Sequence, residues 1–252
     1  MTILVPFHQD ELLTDENLPT PTGPVRRVVP TLGSGSQWDR VRRLFGALAD
    51  EVTAQAPEGR PVKVLTGDCL AAAGTLAGLQ RAGVNPSVVW FDAHADLHTL
   101  ASSTSGYIGG TSLRVLIGGD RDELGEPLGL RPVPESNCLL VGARDIDPAE
   151  RDYLRDSEVR QMAVPDLTVN DLPPGPLLVH IDLDVIDGAE LPGLRFPVPG
   201  GPSSGQTLRA LSLILSTGRV VALEIACPWH DPAGPDHTAA RAALVNQILD
   251  LT

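Results

Sequence analysis

Lysine is almost missing from this chain. Lys63 is the only one among 19 basic residues, which face 32 acidic ones, so the formal charge is −13. Such a deficit of positive charge argues against nucleic acid or another polyanion as partner, and it favours the approach of a small cationic molecule. The preference for arginine over lysine points to a GC-rich genome and carries no mechanism. Cysteine is scarce as well. Cys69, Cys138 and Cys227 are odd in number and widely spaced, so they make no disulfide framework and read as reduced thiols. No stretch approaches the roughly 18 to 20 continuous apolar residues of a membrane span. The first residues, MTILVPFHQDE, lack the basic region, apolar core and cleavage site of a secretion signal. A cytoplasmic location with no membrane partner is the expectation.

What is present suffices for a full core. With 252 residues, 42% of them hydrophobic, and no break in composition, the chain reads as one α/β domain over residues 1–252. Strand and helix signals alternate. Residues 2–6 form a first strand, followed by a long loop through Gly23 and Pro24 that holds His8, Asp10 and Glu11. Ser36 or Asp39 is placed to cap a helix over 38–54, where Val41, Leu44, Leu48 and Val52 recur every three to four residues. Strands are predicted at 61–65, 88–92, 138–141, 177–181 and 220–225, and helices at 70–81 (ended by Gly83), 148–156, 203–216 and 236–249. Repeated strand-helix-strand units with short loops imply a parallel sheet covered on both faces. There is no internal repeat.

The chemistry gathers where strands end. Val88-Val89-Trp90-Phe91 runs directly into Asp92, His94, Asp96 and His98, which alternate with Ala93, Ala95 and Leu97. If the strand runs on briefly, alternate side chains project from one side at its carboxyl end, where open α/β sheets place their sites. A second cluster, Asp182 and Asp184, follows another apolar run with the same spacing of two. Burying so many ionisable groups beside hydrophobic strands is costly unless a cation neutralises them. The oxygen-rich set with one imidazole suits manganese, and the number of carboxylates suits two ions sharing oxygens. Two such ions acidify water, so hydrolysis is the expected reaction.

Several neighbours have plainer readings. Cys69 alone resembles a buried small hydrophobe at a helix start. His180, inside an apolar run, reads as a satisfied core histidine, and Asp187 as a carboxylate that fixes a loop. His98 suits substrate contact, though a loop histidine facing solvent has the same appearance. Glu224, between an apolar strand and Cys227-Pro228, is favoured for the site over a surface role. The residues of the serine-rich loop at 99–110 form the substrate side. His230, Asp231 and His237 fit no ligand spacing.

Five motifs together resemble the ureohydrolase family, which includes arginases, agmatinases and formiminoglutamases. They are DAHAD at 92–96, GARDIDPAE at 142–150, DLDVID at 182–187, PGGPS at 199–203 and EIACPWHD at 224–231. The resemblance implies a three-layer α/β/α sandwich around a mainly parallel sheet of about eight strands, with two Mn2+ at the strand ends. It also implies that Asp92 and Asp182 bridge the metals, that Asp96 binds one, and that His94 with Asp184 binds the other. Asp96 would handle a proton as well. Glu224 matches the family's acid beside the guanidinium group, and the family implies a trimeric or hexameric homo-oligomer.

Departures from the family pattern bear on substrate. Gly-Gly-Asp-His-Ser is replaced by Thr66-Gly67-Asp68-Cys69-Leu70, so Cys69 takes a histidine ligand's place; a thiolate ligand is softer and lowers the Lewis acidity of its ion. In the loop Gly106-Tyr107-Ile108-Gly109-Gly110, Gly109 falls where arginases carry a proton-shuttling histidine, and His98 stands where they carry an asparagine that touches the substrate's α-carboxylate. Tyr107 and Gly109 therefore belong to the expected substrate surface. An N-hydroxyguanidine is less basic and has a better leaving group, so it tolerates these losses. The cysteine exchange resembles the branch that hydrolyses Nω-hydroxy-L-arginine in antibiotic biosynthesis; a plain arginase or agmatinase, or a metal-binding pseudoenzyme, is the alternative.

Overall fold

Apolar strand residues point alternately to two faces, and both faces are covered, which is the condition that sets the architecture. The computed structural model describes residues 1–56, 59–226 and 229–252; Cys227 and Pro228 of the last motif lie outside the described residues. In chain order the elements are β1 (Thr2–Val5), β2 (Phe7–His8), β3 (Glu11–Leu12), β4 (Val25–Arg27), α1 (Gln37–Gln55), β5 (Val62–Thr66), α2 (Ala72–Arg81) and β6 (Ser87–Phe91). They continue with the short α3 (Ser112–Leu116) and α4 (Gly125–Leu128), then β7 (Cys138–Val141), α5 (Pro148–Asp156), β8 (Arg160–Met162), β9 (Leu177–Asp182), α6 (Ser204–Leu215), β10 (Val220–Ala226) and α7 (Pro235–Leu249).

Among the described residues eight strands form one sheet in the order β4-β1-β5-β10-β9-β6-β7-β8, and every pairing in it is parallel. Val64, Val88, Trp90 and Leu140 face the side packed by α1 to α5, while Leu65, Val89, Phe91 and Val141 face α6 and α7. The expected three-layer α/β/α arrangement is therefore present. The order reverses direction of growth around β5, β10, β9 and β6, so the crevice beyond their carboxyl ends is where such a sheet holds ligands.

Local signals explain most boundaries. Ser36 accepts from the Asp39 amide while Asp39 returns a bond to the Ser36 backbone, a reciprocal cap that starts α1. Ser203 and Gln206 start α6 in the same way. Four strands had no apolar run to reveal them: β4 and β8 are edge strands reading VRR and RQM with exposed positions, and β2 pairs with β3 as a two-residue antiparallel ladder. The strand at 88–92 also ends sooner than expected. Phe91 is its last residue, so the DAHAD segment is a loop.

Helix α2 lies on α1 through glycine. A Cβ at Gly78 would stand 2.6 Å from the Ala49 carbonyl oxygen and 2.6 Å from Val52 Cβ. Alanine is intrinsically the better helix former by about 1 kcal/mol, but overpacking of this kind costs about 1–3 kcal/mol. Gly78→Ala is thus expected to lower the urea midpoint, and a variant as stable as the parent would show that the two helices separate freely.

Candidate active site

The carboxyl ends of β5, β6 and β9 surround a cavity of about 300 Å³, lined at its floor by Asp68, Cys69, Asp92, His94, Asp96, Asp182 and Asp184. Each is delivered by a local device. Asp68 caps the short turn over Cys69–Ala71 by accepting from the Leu70 amide at 2.8 Å, which turns Cys69 inward. Asp92 accepts from its own loop, the His94 amide at 2.8 Å, and from the Trp90 indole at 3.0 Å. Asp182 accepts from the Asp184 amide at 2.9 Å. Asp96 reaches the floor by a left-handed turn of its backbone (φ 53°), a conformation that non-glycine residues rarely adopt and that marks constrained sites. Convergence of the DAHAD side chains therefore comes from a bent loop, where a continued strand was expected.

Two sets of ligand atoms share one residue. Cys69, Asp92 and His180 place one ligand atom each within 4.8 Å of one another, and so do Asp92, His94 and Asp184. His94 Nδ1 lies 3.0 Å from Asp184 and 3.4 Å from Asp92, while the Cys69 thiol donates to Asp182 at 2.9 Å. A carboxylate common to both sets is the arrangement that lets two divalent ions share an oxygen ligand, and the electrostatics of the floor fit such cations. Burial, then the neighbouring Asp92 charge, pushes the Asp96 carboxyl well above its ordinary range. Burial followed by Asp184 and Asp92 does the same to Asp182, and burial followed by Asp92 lifts Asp184 to about 6. Burial and the three carboxylates Asp182, Asp96 and Asp92 raise the Cys69 thiol. His94 is the one floor group pushed toward positive charge: burial opposes it, yet Asp184 and Asp92 carry its pKa to about 12.

The remaining expected residues divide. His98, Tyr107 and Gly109 line the cavity wall. His98 is held by Ser102 at 3.1 Å and by Asp147 at 3.0 Å. Tyr107 stacks on His8, and a Cβ on Gly109 would lie 2.5 Å from the Tyr107 ring and 2.6 Å from its hydroxyl. The phenol thus fills the volume that a side chain at position 109 would need. Glu224 does not face the cavity. It is fully buried on the α1–α2 side of the sheet, where it takes the Thr75 hydroxyl and lies 3.0 Å from His180 Nδ1. Position within β10 explains this correction, since Glu224 lies two residues before Ala226, the partner of Asp182. His180 is also less settled than a core histidine, because its Nε2 has no hydrogen-bond partner among the described residues. Asp187 does fix its loop, accepting from the Ala189 and Gly200 amides.

The mouth was not read from the sequence. Exposed Asp145 and Asp147 line it together with the buried Glu150, whose oxygens accept the Leu97 and Asp147 amides, and Phe196 lines it as well. The three acids sit inside the GARDIDPAE motif, where the spacing of two between Asp145 and Asp147 was the available signal. Phe196, exposed and remote in sequence, had none.

Comparison with known proteins agrees with this fold. The model of the arginase family matches residues 35–249. Arginase of Eremothecium gossypii is 32% identical over 218 residues, covering 79% of this chain and 54% of that protein. Arginase of Bacillus subtilis is 32% identical over 190 residues, covering 70% of this chain and 64% of that one. The matched stretches thus span about half to just under two thirds of these relatives. The crystal structure of arginase from Bacillus subtilis superposes with a TM-score of 0.81 at 26% identity, covering 99% of this chain and 98% of that one. The fold and the acid-lined crevice define a parallel α/β protein with candidate metal-ligand groups at its strand ends. The chain belongs to the arginase family.

With metals chelated, stability should fall as pH rises from about 4 through about 6 and beyond. Between the unfolded value of 3.8 and the raised folded value, the folded carboxyls keep protons that the unfolded chain has released, so stability present at low pH is lost through the folded pKa of Asp184 and the higher ones of Asp96 and Asp182. His94 has the same sign, since its raised value makes its contribution present below 6.5 and lost toward about 12. Thermal unfolding across this range, with and without manganese, checks it; a flat profile in chelator would contradict the proposed accumulation of charge.

Proposed function

We propose that this chain, as one catalytic domain over residues 1–252, is a manganese-dependent hydrolase that cleaves a C–N bond of a guanidine or N-hydroxyguanidine, with Nω-hydroxy-L-arginine as its substrate. The single observation that carries the reading is Asp92 shared between two sets of ligand atoms at the bottom of an acid-lined cavity. Asp92 and Asp182 are assigned to both ions, Cys69 and Asp96 to one, and His94 with Asp184 to the other. Two bound Mn2+ would supply acidified water near neutral pH. No arginine or lysine is among the described lining residues, so a cationic ligand meets no cationic arginine or lysine there and is surrounded mainly by acids, hydroxyls and histidines.

The chain's own groups then have distinct work. The exposed carboxylates of Asp145 and Asp147 hold a substrate ammonium, and His98 with its Ser102 partner faces the rest of the substrate chain. Asp96 accepts a proton from the attacking water. Addition of that water to the guanidine carbon, transfer of the proton from Asp96 to the alkyl nitrogen and scission of the carbon's bond to that nitrogen release an amine plus urea, or hydroxyurea from the hydroxylated substrate. Tyr107 stands over the same space as a neutral donor, since burial and then the Asp68 and Cys69 charges keep its phenol protonated. A thiolate at Cys69 makes its ion a weaker acid, and the hydroxyguanidine's better leaving group offsets that. Arginine itself is the second reading, favoured by relatives that are arginases by name.

Elemental analysis of protein purified with excess manganese under reducing conditions should give two ions per chain. Asp92→Ala and Asp182→Ala should lose the second ion and turnover together, and full turnover in either variant would refute their sharing. The substrate is decided by assaying the loaded protein on arginine, Nω-hydroxyarginine, agmatine and formiminoglutamate, where hydroxyurea release at the highest kcat/KM is expected. Faster urea release from arginine would select the second reading.

Cys69→His should shift the ratio of rates toward arginine, because a neutral ligand leaves more charge on the ion. Gly109→His should not add to that gain, since the imidazole must first expel the Tyr107 ring. A double variant faster on arginine than Cys69→His alone would overturn this account of Tyr107.

A further inference from the structure

Beneath the floor, β6, β9 and β10 set Trp90, His180 and Glu224 side by side in register, two residues before Asp92 and Asp182. None of the three has exposed surface. The His180 ring stacks on the Trp90 indole, centroids 3.6 Å apart and planes within 15°. Glu224 Oε1 lies 3.0 Å from His180 Nδ1, and its other oxygen accepts the Thr75 hydroxyl, so the carboxylate is held from helix α2. A carboxylate fixed against Nδ1 selects the tautomer that donates from Nδ1 and leaves a lone pair on Nε2. That Nε2 is buried and has no hydrogen-bond partner among the described residues. A ring nitrogen of His180 also stands within 4.8 Å of both the Cys69 sulfur and an Asp92 oxygen. Carboxylate, histidine and an open lone pair beside a thiol and an acid are what a metal-binding histidine presents, its second nitrogen oriented by a hydrogen bond from behind.

We propose that His180 is a ligand, through Nε2, of the divalent ion held by Cys69 and Asp92, with Glu224 and Thr75 as the residues that position it. The inference rests on the dinuclear reading above only in needing a cation at Cys69, and it is independent of the substrate. Its consequence is metal preference. Sulfur, imidazole and carboxylate together suit Zn2+ or Co2+ better than Mn2+, whereas the Asp92, His94, Asp184 set is richer in hard oxygen. Excess manganese can still fill the Cys69 position, but zinc should displace it there first.

X-ray absorption at the zinc edge tests the ligation without turnover. Metal-free wild-type protein and His94→Gln, each given one equivalent of Zn2+ under reducing conditions, should both show one sulfur at about 2.3 Å and one imidazole nitrogen at about 2.0–2.1 Å. Removing His94 leaves His180 as the one imidazole in the two sets, so persistence of the nitrogen shell in the variant identifies His180. Sulfur without imidazole in His94→Gln would reduce His180 to a buried neighbour, and imidazole without sulfur in the wild type would place zinc in the other set; either overturns the proposal. In competition titrations, His180→Gln should weaken the first zinc equivalent at least a hundredfold and Glu224→Gln about tenfold, with circular dichroism of the metal-free proteins as the control for folding. Should His180→Gln fail to fold, the absorption spectra decide. A sulfur-and-imidazole shell in a protein inactive on every amidine supports this inference and sinks only the proposed function, while an active enzyme lacking that shell does the reverse.

Discussion

Like charge buried in one place is the constraint on which the rest depends. Asp92, Asp96, Asp182 and Asp184 all lie below a tenth exposed, around one thiol and a half-buried imidazole. Carboxylates so placed repel one another and lose hydration, which is why three of the four resist ionisation in the absence of a cation. Asp92 escapes because hydrogen bonding and the charge of His94 outweigh its burial. The surrounding fold holds that arrangement in place. Parallel strands end together on one side, their interior residues are apolar on both faces, and the helices cover them, so only the last row and its loops can carry charge toward the crevice.

Geometry at the floor is built mainly from backbone amides. Leu70, Ala93, His94 and Asp184 each donate to a carboxylate of the cluster, fixing oxygen positions without consuming a side chain. The same economy explains the positive φ at Asp96: once the loop is tied by the Arg114 amide to the Asp96 carbonyl at 2.9 Å, the side chain has to turn in. A layer lower, Trp90 links the two levels, since its indole N–H donates to Asp92 while its ring covers His180.

The wall shows how one exchange conditions another. Tyr107 occupies the volume above Gly109, and His8, bonded to the Gly67 carbonyl at 3.0 Å, backs the phenol. Gly67 in turn has no room for a Cβ, which would lie 2.3 Å from Leu13 and 2.7 Å from the Phe7 carbonyl oxygen. Substitutions in this quarter are therefore coupled through contact, and position 109 cannot be changed as if it stood alone.

The parallel α/β class, most element boundaries and the grouping of Asp92, His94, Asp96, Asp182 and Asp184 were legible in the sequence by itself, because apolar runs, helix caps and a carboxylate spacing of two are local patterns that report burial directly. The partners of Glu224, His180 and Tyr107 were not. Their neighbours are 149, 44 and 99 residues away in sequence, as Thr75 is from Glu224, Glu224 from His180, and His8 from Tyr107. Strand order and register decide such contacts: β10 lies beside β9, which turns Glu224 toward His180 beneath the floor and away from the cavity that its position near a strand end had implied. Polarity along a chain can say that a side chain needs a partner, but only the packing of distant strands selects which one it meets.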